Sequence, residues 1–171
     1  MKKLLLVLLI GFAVSTSAFA DHEGLGIGIV GGWGWPSHGY AGLSLKSPTL
    51  PVFLGIYPVF AGTSFGVGVT GDFYIIDKSL VNSKMTNEDG TYNFKLDWFL
   101  GLGAFVNTWF WDGGGWVGIG ARVPIGLSWH IIKQLELFMD LAPGIGVSFG
   151  AGGVHFPYWA GAFELGLRFW L

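Results

Sequence analysis

The strongest constraint in this chain is a period of two in which the minor face is not what water would select. From Phe163 to Leu171 every second residue is large and apolar (Phe163, Leu165, Leu167, Phe169, Leu171), while Glu164, Gly166, Arg168 and Trp170 lie between them. In the run from Val117 to Trp129, the residues Val117, Ile119, Ala121, Val123, Ile125, Leu127 and Trp129 alternate with Gly118, Gly120, Arg122, Pro124, Gly126 and Ser128. Leu135, Leu137, Met139 and Leu141 alternate in the same way with Glu136, Phe138 and Asp140. Successive side chains of a strand point to opposite faces, so each run reads as β-structure with one face in an apolar medium. A helix would instead repeat its apolar residues at three and four.

The minor face decides which medium that is. A strand of a soluble sandwich turns its polar face to water and fills it with Lys, Glu, Thr and Asn. Here that face is mostly Gly, Ala and Ser with isolated charges, in a chain of 171 residues with 30 Gly and only 12% charged residues, against roughly 25% in an average soluble domain. Glycine weakens a strand and packs nothing, so a water-facing surface built from it makes little sense. Inverted, the pattern is coherent: the aliphatic face meets lipid, and the glycine face lines an interior too narrow for large side chains. Closing the sheet would also satisfy the backbone groups that lipid cannot.

Turn residues divide the chain into eight strands, at about 24–35, 40–47, 52–61, 66–79, 95–111, 116–129, 134–148 and 158–171. The breaks are Pro36–Gly39, Ser47–Thr49, Gly62–Ser64, Asp112–Gly115, His130–Lys133 and Phe149–Pro157. Residues 80–94, with Asn87-Glu88-Asp89-Gly90 at their centre, read as a protruding hairpin. The expected fold is therefore all-β, an eight-stranded antiparallel up-and-down transmembrane β-barrel; an even count returns the C-terminus to the side of the N-terminus. Two groups of aromatics fit interfacial belts: Trp33, Trp35, Tyr40, Trp109, Phe110, Trp111 and Trp116 at one height, and Trp98, Phe99, Trp129, Phe169 and Trp170 at the other.

Residues 1–20 read as a signal peptide: Lys2 and Lys3, an apolar core from Leu4 to Val14, then Ala18 and Ala20 in an A-x-A pattern that places the cut before Asp21. Residues 21–171 form the barrel domain. Several functions are excluded at this level. The net charge of −2 offers no basic surface for nucleic acid. The absence of Cys removes disulfides, thiolate metal sites and thiol nucleophiles. Gly24-Leu25-Gly26-Ile27-Gly28 is strand alternation without the helix that a dinucleotide site needs. His130 beside Ser128, and His155 seven residues from Ser148, match no activated-nucleophile spacing. The reading is non-enzymatic, with no cofactor and no metal.

The register sends Asp72, Lys95, Asp97, Arg122, Glu136, Asp140, Glu164 and Arg168 inward. Charges away from water need partners, so the expectation is a structural network in which Arg122 meets Glu136 or Asp140 and Arg168 meets Glu164 or Asp140. The alternative for the same residues is a polar path for small solutes. Phe149, Val154, His155 and Phe156, in the last loop, form the one sizeable patch for a partner.

The segment Arg122-Val123-Pro124-Ile125-Gly126-Leu127-Ser128-Trp129, followed by Leu135-Glu136-Leu137-Phe138-Met139-Asp140-Leu141-Ala142-Pro143-Gly144 and the ending Gly166-Leu167-Arg168-Phe169-Trp170-Leu171, resembles a family of small outer-membrane barrels from spirochaete-type bacteria. In size and strand count the chain is more loosely similar to the OmpA, OmpX and OmpW barrels. The resemblance implies a multi-pass protein of the bacterial outer membrane, inserted by the outer-membrane assembly machinery. The expected partners are outer-membrane lipid and an extracellular protein, and the expected role is envelope-structural or surface-interacting. A porin-like narrow channel or carrier for small or hydrophobic solutes is the alternative.

Overall fold

In a computed structural model, which describes residues 24–35, 39–47, 49, 52–87 and 90–171, the chain is all β and the sheet closes on itself. The strands are β1 (Gly26–Trp35), β2 (Gly39–Lys46), β3 (Phe53–Ala61), β4 (Ser64–Asn87), β5 (Gly90–Trp111), β6 (Gly114–Arg122), β7 (Ile125–Ile132), β8 (Leu135–Gly150) and β9 (Gly153–Trp170). All pairings are antiparallel. β4 pairs with β5 and β1 with β9, so the nine strands run in a ring.

The count of nine corrects the expected eight, and proline is the reason. The strand expected over 116–129 is split at Val123-Pro124. β6 lies between Gly103–Trp111 of β5 and Gly144–Gly150 of β8, and β7 continues in line between Lys95–Leu100 and Leu135–Leu141 of the same two strands. Pro124 has no N–H for the ladder. Two backbone bonds hold the break: Gly101 N–H donates to the Pro124 carbonyl at 2.8 Å, and Val123 N–H to the Pro143 carbonyl at 2.9 Å. Nine elements thus occupy eight places around the ring.

Other boundaries move for turn reasons. The 80–94 hairpin is present: β4 and β5 stay paired as far as Asn87 and Gly90, with register shifts at Tyr74/Ile76 and Ser79/Val81. It projects from the end of the ring that holds both ends of the described chain. At the opposite end the links after β3, β5 and β8 are two-residue turns, with a glycine at positive φ in the turn (Gly62 at 58°, Gly113 at 79°) or directly after it (Gly153, the first residue of β9, at 98°). Gly153 in particular lets Gly150 pair with it, so the loop expected over 149–157 contracts to Ala151-Gly152 and β9 begins early. His130 likewise lies in β7 and the turn is Lys133-Gln134. The segment 1–20 with its cleavage point, His22, residues 36–38, the Glu88-Asp89 turn and the Trp35 side chain lie outside what is described.

The faces follow the sequence alternation in the inverted sense. Along β9, Phe163, Leu165, Leu167 and Phe169 are exposed, while Glu164, Arg168 and Trp170 are buried. Along β8, Met139 and Leu141 point out, and Glu136, Phe138, Asp140 and Ala142 point in. Leu141 is 57% exposed, whereas Glu136 is 1% exposed.

The inward glycines are partners of inward rings. Tyr57 lies directly opposite Gly68, Phe99 opposite Gly126, Phe105 opposite Gly120, Phe138 opposite Gly166 and Trp170 opposite Gly26. In each pair the ring occupies the space a glycine Cβ would need: 2.6 Å from the Phe105 Cζ at Gly120, and 3.2 Å from the Trp170 ring at Gly26. A ring of eight places is just wide enough to be filled by side chains. Each of these five aromatics therefore requires a neighbour with none.

Gly28 has the same constraint from backbone, since a Cβ there runs into the Leu167 carbonyl and comes within 2.8 Å of the Arg168 Cα. At Gly71 the nearest atoms stand at 3.6 Å, an ordinary contact. Gly28→Ala is expected to destabilise the protein by about 1–3 kcal/mol, the range for overpacking, and Gly71→Ala to stay within about 0.5 kcal/mol. Urea unfolding followed by tryptophan fluorescence measures both.

Candidate functional site: the enclosed ion network

Glycine also determines which charges meet inside the ring. Asp72 on β4, Gly103 on β5 and Arg122 on β6 lie side by side across three strands. With no side chain on the middle strand, Arg122 Nε reaches Asp72 Oδ1 at 3.0 Å. The same arrangement recurs twice. Tyr40 on β2 passes over Gly32 of β1 and donates its hydroxyl to Glu164 Oε1 on β9 at 2.6 Å. Arg168 on β9 passes over Gly28 of β1 and donates from Nε to Ser44 Oγ on β2 at 2.8 Å.

Two centres result. Arg122 binds Glu164 with both terminal nitrogens, Nη2 to Oε2 at 2.6 Å and Nη1 to Oε1 at 3.3 Å, a bidentate geometry that is the strongest form of such pairs. Asp140 lies 3.9 Å from the same guanidinium. Arg168 donates to Glu136 at 3.2 Å, and its guanidinium stands over the Phe138 ring at 3.8 Å and the Phe53 ring at 4.5 Å. Glu136 also accepts from Ser128 at 2.8 Å and from the Trp170 indole at 2.9 Å.

Of the eight charged residues expected inside, Asp72, Asp97, Arg122, Glu136, Asp140, Glu164 and Arg168 are buried and Lys95 is partly exposed. The pairing differs from expectation in one respect: Glu164 belongs to Arg122 and Glu136 to Arg168. Arg168 takes the carboxylate directly opposite it on β8, Glu136, while Arg122 reaches Glu164 across the interior. Asp97 stands apart from both arginines. Its carboxylate lies 3.3 Å from Lys95 Nζ and 3.6 Å from His130 Nδ1, near the end from which the hairpin projects.

Tyr40, Ser44, Lys46, Ser128 and Trp170 are inward polar groups that sequence reasoning did not assign to the network. Strand parity carries the signal: Tyr40 and Ser44 share the parity of Gly42 and Lys46, and Trp170 that of Glu164 and Arg168. Tyr40, Phe99 and Trp170 are correspondingly removed from the expected interfacial belts, since they are buried, and Trp109 and Trp116 are only partly exposed. Trp33 and Phe110 at one end, and Trp129 and Phe169 at the other, do face outward, while Trp111 is exposed at the rim on the inward parity of Phe99 and Phe105.

The interior holds two small voids, of about 30 Å³ beside Arg122, Tyr40, Tyr57 and Asn107 and about 20 Å³ beside Ser44, Thr70 and Arg168. Each is the size of one or two water molecules. Towards the hairpin end the space is closed by aromatic stacking, Phe53 on Tyr74 at 4.1 Å and Tyr74 on Phe99 at 4.2 Å, with Phe99 0% exposed. Of the four residues expected as a partner patch, Phe149, Val154 and Phe156 are exposed on strands rather than in a loop, and His155 sits opposite Ser148.

A family model described as a protein of unknown function (DUF3996) matches residues 40–170, which takes in β2 to β9 and both arginines. No curated protein and no solved structure matches the chain.

Removing the cation at the centre should be costly. Arg122→Met leaves Asp72, Asp140 and Glu164 without their shared partner and is expected to destabilise the fold by about 3–5 kcal/mol. Tyr40→Phe removes one hydrogen bond to a carboxylate and should cost about 1.5–3 kcal/mol. Urea midpoints of the two variants test the order.

Proposed function

We propose that this chain, which belongs to the DUF3996 family, is an integral β-barrel of the bacterial outer membrane with a closed interior and no enzymatic role, serving envelope structure or surface contact. The observation that carries this reading is the inversion of faces. Outward-facing Ile27, Ile29, Leu43, Ile119, Ile125, Leu141, Leu165 and Leu167 make an apolar belt around the ring, and the arginines and carboxylates are inside it. Monomeric soluble proteins rarely expose contiguous apolar surface of this kind, whereas a lipid-facing barrel requires it. The closed hydrogen-bonded ring supports the same reading, because it leaves no long sheet edge within the belt. The N-terminal segment with Ala18 and Ala20 before Asp21 supports export.

Two layers support a structural interior over a solute path. The Arg122 and Arg168 centres tie β2, β4, β6, β8 and β9 together across the interior, and the Phe53–Tyr74–Phe99 stack fills the section beyond them. The two water-sized voids, one beside Arg122 and one beside Arg168, are the observation that favours the second reading, a narrow channel. Reconstitution separates the two. The refolded protein should float with liposomes after a carbonate wash, and planar-bilayer recordings should stay silent. Stepwise currents would establish the channel instead, and failure to float would remove the membrane reading altogether.

A further inference from the structure

At the end opposite the projecting hairpin, the interior opens into a crevice of about 260 Å³ that the ion network does not use. Its walls come from four strands: Trp111 on β5, Trp116 on β6, and Ser148, His155 and Tyr158 from the β8–β9 hairpin, whose turn Ala151-Gly152 forms one lip. The local sequence builds it in two steps. Gly118 and Gly150 clear the floor, since a Cβ at Gly118 would meet the Tyr158 and Trp116 rings at 2.8 and 3.0 Å and one at Gly150 would meet the Trp116 Cβ at 2.7 Å. The shift between Gly146 and Ser148 then brings His155 directly opposite Ser148, on the same face as Tyr158. The His155 Nε2 lies 3.3 Å from the Cβ position of Gly152, so the imidazole folds over the turn.

We propose that this crevice binds one ring of a neutral saccharide. The chemistry of the lining selects it. Trp116 and Tyr158, at 5.5 Å and 58° to one another, and Trp111 offer flat apolar faces of the kind that C–H surfaces cover. Ser148, His155 and the Tyr158 hydroxyl supply a few polar groups among them, the composition of a small-molecule site. No Asp, Glu, Lys or Arg lines it, so a charged ligand would lose its hydration without gaining a partner. A hydrocarbon chain would in turn leave the serine and histidine unsatisfied. A ligand with apolar faces and hydroxyl edges meets both demands. The volume lies below the roughly 300–1,000 Å³ of sites for larger ligands, which fits a single ring.

The proposal rests on the membrane reading only in that this rim must stand in water, and detergent-refolded protein tests it without a bilayer. Methyl glucoside, methyl galactoside, N-acetylglucosamine, phosphocholine and decanoate are titrated separately, read by tryptophan fluorescence and saturation-transfer NMR. At least one of the three neutral sugars should bind saturably. His155→Ala and Trp111→Ala, both at the open rim, should weaken it at least tenfold, with near-ultraviolet circular dichroism confirming the fold. Val154→Ala, one residue from His155 but on the outward face, should leave it unchanged. The proposal is overturned by no saturable binding of any neutral sugar, by tighter binding of phosphocholine or decanoate, or by equal affinity in the rim variants. Loss of liposome flotation with sugar binding intact would remove the membrane reading and leave the crevice standing.

Discussion

The width of the interior governs this protein. A ring of eight places leaves room for one large side chain at a given spot and not for two, so most inward rings and both buried arginines are set against a glycine on the next strand. The abundance of glycine is therefore a packing requirement. It serves two ends: Gly68, Gly120, Gly126 and Gly166 carry aromatic rings, while Gly28, Gly32 and Gly103 act as saddles over which polar side chains reach partners two strands away.

The ion network is a consequence of those saddles. A buried arginine with one neighbouring carboxylate would be poorly compensated. Arg122 instead gathers Glu164, Asp72 and Asp140 from three different strands, and Tyr40 ties a further strand to the same carboxylate. Arg168 does the same with Glu136, Ser44 and two aromatic faces. Such contacts tie register across the ring, because a slip of one residue would turn each charge outward and each leucine inward. Pro124 divides one strand in two just beyond Arg122, and the ladder resumes on the same neighbours.

Much of this is legible in the sequence, and what is not has definite causes. Alternation in 117–129, 135–141 and 163–171 gives both the strands and the sense of their faces, and it places Arg122, Glu136, Asp140, Glu164 and Arg168 inside. The pairing does not follow from alternation alone: that Glu136 faces Arg168 needs the β8–β9 register, and that Arg122 reaches Asp72 depends on the intervening Gly103, which requires the register of three strands at once. Aromatic residues near strand ends look alike whether they face lipid or the interior. Parity separates Trp170 from Phe169, but membership of an interfacial belt, judged by position along the strand, does not. The contraction of 149–157 to a two-residue turn follows from one conformation, the positive φ of Gly153, among several glycines that could each have supplied it.

The inversion of faces is the claim on which the account stands, and site-directed labelling in a bilayer tests it directly. Single cysteines at Ile125, Leu141 and Leu167, carrying an environment-sensitive fluorophore, should be quenched by lipids bearing quenchers along the acyl chain. Cysteines at Ser44 and Ser128, which are inward and buried, should resist both those lipids and water-soluble quenchers. Acyl-chain quenching at Ser44 and Ser128, with Ile125, Leu141 and Leu167 protected, would contradict it.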